Sequence, residues 1–204
     1  MISTILLLQF APTAPAANLL ANPGFDYPVS PSDWTLTVGA ERTTPYLGFG
    51  YALVMREQFI PENGWASGFQ TVAAGPWNTY SLSAQVMQPF QLHPEDYGLL
   101  EIIFQTSSGA TAGVIQSAHL GPDDLPQDRT WANVRISGVA PPGTSQVTFK
   151  ASLFHGCSQL TARIAFDNFL AEVQPVPEPY VGWCAAAIPA LAVVLSLRRK
   201  RRPA

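Results

Sequence analysis

The sequence predicts an all-β protein, a two-sheet β-sandwich over residues 18–174, and three observations carry that expectation. Short β-prone runs recur along the body, separated by turn pairs such as Gly75-Pro76, Ser108-Gly109, Gly121-Pro122 and Pro142-Gly143. Two runs alternate cleanly. Tyr80, Leu82, Ala84 and Val86 are apolar between Ser81, Ser83 and Gln85, and Val147, Phe149, Ala151 and Leu153 between Thr148, Lys150 and Ser152. Period two with one apolar face is a half-buried strand. Finally, no body segment carries a long apolar pattern at helical spacing, and many short strands in about 150 residues suit two packed sheets.

In chain order, residues 1–17 come first. Residues 5–10 form a short apolar stretch interrupted only by Gln9, and Ala14-Pro15-Ala16 is a small-x-small cleavage pattern followed by Ala17-Asn18. This resembles a secretory signal peptide, with a short core and no Lys or Arg near Met1, as in a clipped signal. Strands are expected at 34–43, 51–56, 69–73, 77–88, 99–106, 113–119, 131–139, 146–154 and 163–173. Trp34, Trp77 and Trp131 head strands and are assigned to the core. A domain of this length buries about 70% of its unfolded surface, enough for one real core.

After residue 174 the composition changes. Val176-Pro177-Glu178-Pro179 is a stiff, extended segment with few backbone donors. Residues 180–197 contain no charge and would make a helix about 27 Å long, which just spans a bilayer core of about 30 Å. Arg198, Arg199, Lys200, Arg201 and Arg202 follow at once and would hold that end in the cytoplasm, with the body on the far side. A buried helix of a soluble domain would need a polar face, and this one has none.

Motif, apolar run and basic end, in this order, resemble the PEP-CTERM sorting signal of Gram-negative bacteria. The resemblance covers residues 175–204. It implies a transmembrane helix at 180–197 that anchors the chain transiently in the inner membrane. It also implies an exosortase as processing partner and a mature protein at the cell surface or outside the cell. Cys184 and Pro189 within the span depart from the usual pattern.

The overall charge of −3 hides an acidic body. Five of the 11 basic residues lie in the tail, so residues 18–174 hold six basic and 13 acidic residues, a net −7. Such a body argues against nucleic acid and anionic membrane surfaces as partners. The two cysteines, Cys157 and Cys184, offer neither a disulfide framework nor zinc spacing.

Two segments bracket the body: Asn18-Leu19-Leu20-Ala21-Asn22-Pro23-Gly24-Phe25-Asp26 and Ala165-Phe166-Asp167-Asn168-Phe169-Leu170-Ala171-Glu172-Val173. With Asp33-Trp34, residues 64–68 and residues 80–84 they resemble the carbohydrate-binding jelly rolls of galactose-binding-like fold. Pro23 and Asp26 depart from the opening pattern. The resemblance implies a jelly-roll sandwich whose first and last strands are neighbours, and a ligand face near residues 63–68. Trp65 is the candidate sugar-stacking residue, with Tyr51 and Phe49 as further cleft residues; the alternative is a core Trp65 plugging one end of the sandwich. Asp26 and Asp167 are candidate ligands of a structural Ca²⁺; the alternative is a turn Asp and a capping Asp bonded to backbone.

The signal for enzyme chemistry is poor, and no catalytic residue is expected. Glu95-Asp96 and Asp123-Asp124 read as solvated loop acids rather than a split-pKa pair. His93, His119 and His155 lack metal-ligand spacing, and no nucleophile elbow occurs. The expectation is an exported, exosortase-processed surface protein that binds carbohydrate or associates with exopolysaccharide. A structural surface or biofilm component without a glycan site is the alternative, and a small hydrolase a third.

Overall fold

The structure, a computed structural model, describes residues 17–28, 33–45, 50–156 and 163–175. Residues 1–16 of the signal segment, Phe49, Cys157, the sorting motif Val176 to Pro179, the apolar run and the basic end lie outside the described residues.

The described chain is a sandwich of two five-stranded antiparallel sheets. The strands are β1 (Thr35–Leu36), β2 (Ala40–Thr43), β3 (Ala52–Arg56), β4 (Gly64–Ala73), β5 (Thr79–Phe90), β6 (Tyr97–Gln105), β7 (Thr111–Gln116), β8 (Ala132–Val139), β9 (Gln146–His155) and β10 (Arg163–Gln174). A single 3-10 turn, Glu57–Phe59, follows β3. One sheet runs β1-β4-β9-β6-β7 and the other β2-β3-β10-β5-β8. Apart from the hairpins β2–β3 and β6–β7, successive strands pass back and forth between the sheets, as in a jelly roll.

Alternation sets which side chains meet. From β9, Val147, Phe149, Ala151 and Leu153 point into the core, and from β5, Tyr80, Leu82, Ala84 and Val86 face them. Both expected alternating runs are strands with the expected apolar face inward. The bracketing segments also meet. The side-chain amide of Asn18 donates to the Phe169 carbonyl at 2.7 Å, and its oxygen accepts from the Ala171 N–H at 3.0 Å. Leu19 N–H donates to the Ala171 carbonyl, so the opening segment runs beside β10. Phe25, Trp34 and Phe169 close that part of the core, with Trp34 ring centroids 4.9 Å and 4.8 Å from the two phenyl rings.

Three expectations are corrected. Residues 34–43 are not one strand: β1 pairs with β4 and β2 with β3, in different sheets. The chain crosses at Gly39, whose φ of +87° is left-handed backbone that glycine adopts without a Cβ penalty. Trp77 is not core. It is 58% exposed in the turn before β5, where its own positive φ points the indole away. Trp131 packs outside the main core, on a small apolar patch of Ala52, Val54, Met87 and Ala165 on the far face of the second sheet. A Trp at a strand head thus faces whichever side the register dictates, and only Trp34 is drawn inward.

Candidate functional site

The outer face of the β1-β4-β9-β6-β7 sheet is the most chemically organised surface among the described residues. Register lines up its side chains in rows. Trp65, Phe154 and Tyr97 are direct partners across β4, β9 and β6. Two steps along come Ser67, Ser152 and Leu99; then Phe69, Lys150, Glu101 and Gln116; then Thr71, Thr148 and Ile103. Since side chains alternate, every second residue of these strands lies on this face while its neighbours fill the core.

The first row is an aromatic platform. Trp65 is 44% exposed, with its ring centroid 5.0 Å from Phe154 and 5.8 Å from Tyr97. Tyr97 and Phe154 are 5.0 Å apart, and His119 stacks on Tyr97 at 3.7 Å with the planes 6° apart. Each ring is buttressed by another, so the platform is held in place while the indole stays partly open to solvent.

Behind it lies a charged network that a solvent-facing sheet rarely hides. Glu101 is only 6% exposed. Lys150 Nζ lies 2.8 Å from its Oε2, Gln116 Nε2 donates to Oε1 at 2.8 Å, and the Ser152 hydroxyl donates to Oε2 at 3.2 Å. Burial pushes the Glu101 carboxyl up, but Lys150 and the Gln116 and Ser152 donors outweigh it and hold the group below the usual carboxylate range. Lys150 Nζ also stands 6.0 Å from the Trp65 ring centroid, tying network to platform. Thr71 and Thr148 hydroxyls pair at 2.7 Å, and Thr148 donates to Gln105 at 3.1 Å. The face therefore offers flat apolar rings beside fixed donors and acceptors.

The sequence-predicted residues fall in separate places. Trp65 lies on this face, exposed, and does not plug the core. Tyr51 does not join it: it is an exposed residue before β3 of the other sheet, with the Arg42 guanidinium 3.5 Å from its ring centroid. Arg42 donates to the Phe25 and Asp26 carbonyls, so Tyr51 belongs to the surroundings of Asp26. Phe49 lies outside the described residues.

Asp26 and Asp167 are brought near each other. The Asp167 carboxyl is pushed up to about 6 by burial and by the charge of Asp26, against the pull of the Asn168 N–H. A side chain on Gly24 would lie 3.1 Å from Asp26 Oδ2 and 3.6 Å from Asn168 Oδ1, so these oxygens flank one glycine. The Phe169 N–H donates to the Pro23 carbonyl, closing the opening loop onto the β10 bulge.

Tyr97, Phe154, Glu101, Lys150 and Gln116 were not singled out from sequence. Glu101 carried a signal, as a lone acid inside the apolar run Leu99 to Phe104. Asp96 corrects an expectation. It is not a solvated loop acid but is 1% exposed, whereas Asp123 and Asp124 are exposed as expected.

No family model matches the chain, and no curated protein matches it either. Solved structures do match. The domain is similar to TmCBM61, a carbohydrate-binding module solved with β-1,4-galactotriose, with a TM-score of 0.51, 14% identity, and 78% of this chain and 100% of that one covered. It is similar to the CBM22-1 xylan-binding domain of Xyn10C from Paenibacillus barcinonensis, with a TM-score of 0.50, 15% identity, and 79% and 97% covered. It is also similar to part of the enzymatically active domain of bacteriophage CBA120 tailspike protein 4, with a TM-score of 0.54 and 18% identity; 77% of this chain covers only 21% of that one. At these identities the likeness shows fold, and function must be argued from the site. The described chain is thus an all-β sandwich with the jelly-roll fold of carbohydrate-binding modules.

Proposed function

We propose that this domain binds a polysaccharide across the outer face of the β1-β4-β9-β6-β7 sheet. A pyranose ring would stack on the exposed indole of Trp65, with Tyr97 and Phe154 extending the apolar floor. Lys150 and Gln116, held in place by the buried Glu101 carboxylate, would meet hydroxyl groups of neighbouring sugar units. The observation that carries this reading is the adjacency of a buttressed aromatic row and a nearly buried, hydrogen-bonded carboxylate with its lysine partner on the solvent side of a sheet. Fixed polar groups beside an apolar floor lose little freedom when a ligand arrives. The carbohydrate-binding modules among the fold neighbours support the same ligand class.

The Asp26–Asp167 pair fits a structural Ca²⁺ in its donor chemistry. Two carboxylates stand close to a third oxygen, from Asn168, with no nitrogen donor needed. Bound there, an ion would offset the burial and the Asp26 charge that together raise Asp167, and would tie the opening loop to β10.

The tail gives the setting. Residues 175–204 support export of the acidic body, transient anchoring in the inner membrane and removal of the tail by an exosortase, leaving the domain among extracellular polysaccharides. Expression in a Gram-negative host with and without an exosortase would test this: a tail-sized mass loss only in its presence is expected. A glycan array on the full-length chain tests the binding. Binding that Trp65→Ala removes is expected; binding indifferent to that change means another surface, and a silent array favours the structural-component reading.

A further inference from the structure

On the core side of the strand ends that carry the aromatic row, three ionisable side chains are buried together. Glu57 lies in the 3-10 turn after β3, Asp96 precedes β6, and His155 ends β9. Each is 1% exposed, and one ligand atom from each lies within 4.8 Å of the others. The backbone fixes Asp96 from two sides: the Gly156 N–H donates to Oδ1 at 2.8 Å and the His93 N–H to Oδ2 at 3.2 Å. The carboxyl of Glu57 meets that of Asp96. Two carboxyl groups can share a buried contact only with a proton or a cation to offset their charge. His155 adds a second sign. Its Nδ1 points to Asp96 Oδ1 at 3.5 Å, is out of line for a hydrogen bond, and makes no other. A buried imidazole nitrogen is normally satisfied.

We propose that Glu57, Asp96 and His155 form a binding site for a d-block divalent cation, with Zn²⁺ the best match. An imidazole nitrogen with two carboxylate oxygens is a zinc-type donor set, and it is wrong for Ca²⁺ or Mg²⁺, which take oxygen ligands. In a tetrahedral zinc site neighbouring ligand atoms lie about 3.4 Å apart, so Asp96 and His155 already have the required spacing. Rotation of the Glu57 side chain supplies the third ligand, and water the fourth. The ion would answer both signs at once, neutralising the carboxyl contact and coordinating Nδ1. It would tie the turn after β3, the loop before β6 and the end of β9 into one unit, a structural role. Asp96 precedes Tyr97 and His155 follows Phe154, so the ion would also fix two rings of the platform; that last consequence alone rests on the proposed glycan site.

The test uses the full-length chain, stripped with chelator and reloaded separately with Zn²⁺, Mn²⁺ or Ca²⁺. About one zinc retained per chain after dialysis is expected, with an upward melting shift of at least about 5 °C. Glu57→Gln and His155→Gln should each abolish retention and shift, while Asp26→Asn leaves both intact. If His155→Gln does not fold, Glu57→Gln, an isosteric change, carries the test. Failure of the wild-type chain to retain zinc or manganese, with unmoved melting, overturns the proposal and leaves a shared proton in the cluster. Zinc retention unaffected by Glu57→Gln overturns it too. None of these readouts involves glycan, so they stand whatever the outcome of the array.

Discussion

Lys150 reaches across the outer sheet face to Glu101, Nζ to Oε2 at 2.8 Å, and in doing so covers a carboxylate that the sheet has largely removed from water. The two residues are direct register partners on β9 and β6, so their meeting is fixed by backbone pairing rather than by side-chain chance.

Breaking this pair from either side should not be symmetrical. Lys150→Met leaves a buried carboxylate with only the Gln116 and Ser152 donors, and should cost about 2–4 kcal/mol. Glu101→Gln leaves a half-exposed ammonium that can turn to solvent, and should cost about 1 kcal/mol. Urea denaturation of both variants measures the difference; equal costs would mean that Glu101 is not held by Lys150. The pH sign follows from the depressed Glu101 pKa. Below its ordinary range near 4.3 the unfolded chain binds the proton first, so this stabilisation is full above that pH and is lost as pH falls through the folded pKa. Lys150→Met should flatten that acid limb.

Trp65→Ala should separate binding from stability. The indole is too exposed to hold the core together, so the melting cost should be small, about 1 kcal/mol. Loss of a stacking plane should weaken any polysaccharide found on the array by at least about tenfold. Isothermal titration with that glycan reads one quantity and thermal melting the other. Tyr51→Ala, on the other sheet, should leave affinity unchanged.

Asp167 should make the metal-free protein less stable as pH rises. Its folded pKa of about 6 lies above the unfolded value near 3.9, so the folded state binds the extra proton between them. Stability from this group is full below about pH 4 and is lost as pH rises through about 6. Because the carboxyl is partly solvated, the expected loss is only about 1 kcal/mol. Asp167→Asn should remove this slope. Calcium titration by melting at pH 7.5 should stabilise the wild type and not Asp167→Asn; an unmoved wild-type curve would sink the calcium reading.

The sequence disclosed the fold at the level of period and less so at the level of faces. Alternation in β5 and β9 identified which residues turn inward, because a half-buried strand must show it. Asn18 and Phe169 meet as the bracketing segments suggested. The site was less legible because it depends on register between strands far apart in sequence. Trp65, Tyr97 and Phe154 become one platform only when β4, β9 and β6 align, and no local pattern encodes that alignment. Asp96 was misjudged, and its approach to His155 was missed, for the same reason: spacing along the chain says nothing of residues joined by pairing at strand ends. Trp77 shows the limit of composition, since a large apolar side chain in a left-handed turn is carried out to solvent.

The sheet crossing at Gly39 gives the sharpest test of the architecture. The residue joins β1 of one sheet to β2 of the other, and its carbonyl accepts from the Arg56 N–H at 2.9 Å, which fixes the crossing to β3. A Cβ there would stand 2.7 Å from Ile60 Cγ1 and 3.2 Å from Ala66 Cβ, and the φ of +87° is unfavourable for any L side chain. Gly39→Ala therefore combines backbone strain with a steric clash and should cost about 2–3 kcal/mol. In a domain of this size that lowers the melting temperature by about 4–12 °C. Ile60 is buried and cannot swing into solvent, so the double variant Gly39→Ala, Ile60→Ala, which removes the clashing Cγ1, should cost less than the sum of the two single changes by the steric part alone. A neutral Gly39→Ala would show that the chain can cross between the sheets without the left-handed turn. The placement of β1 beside β4 would then need another cause.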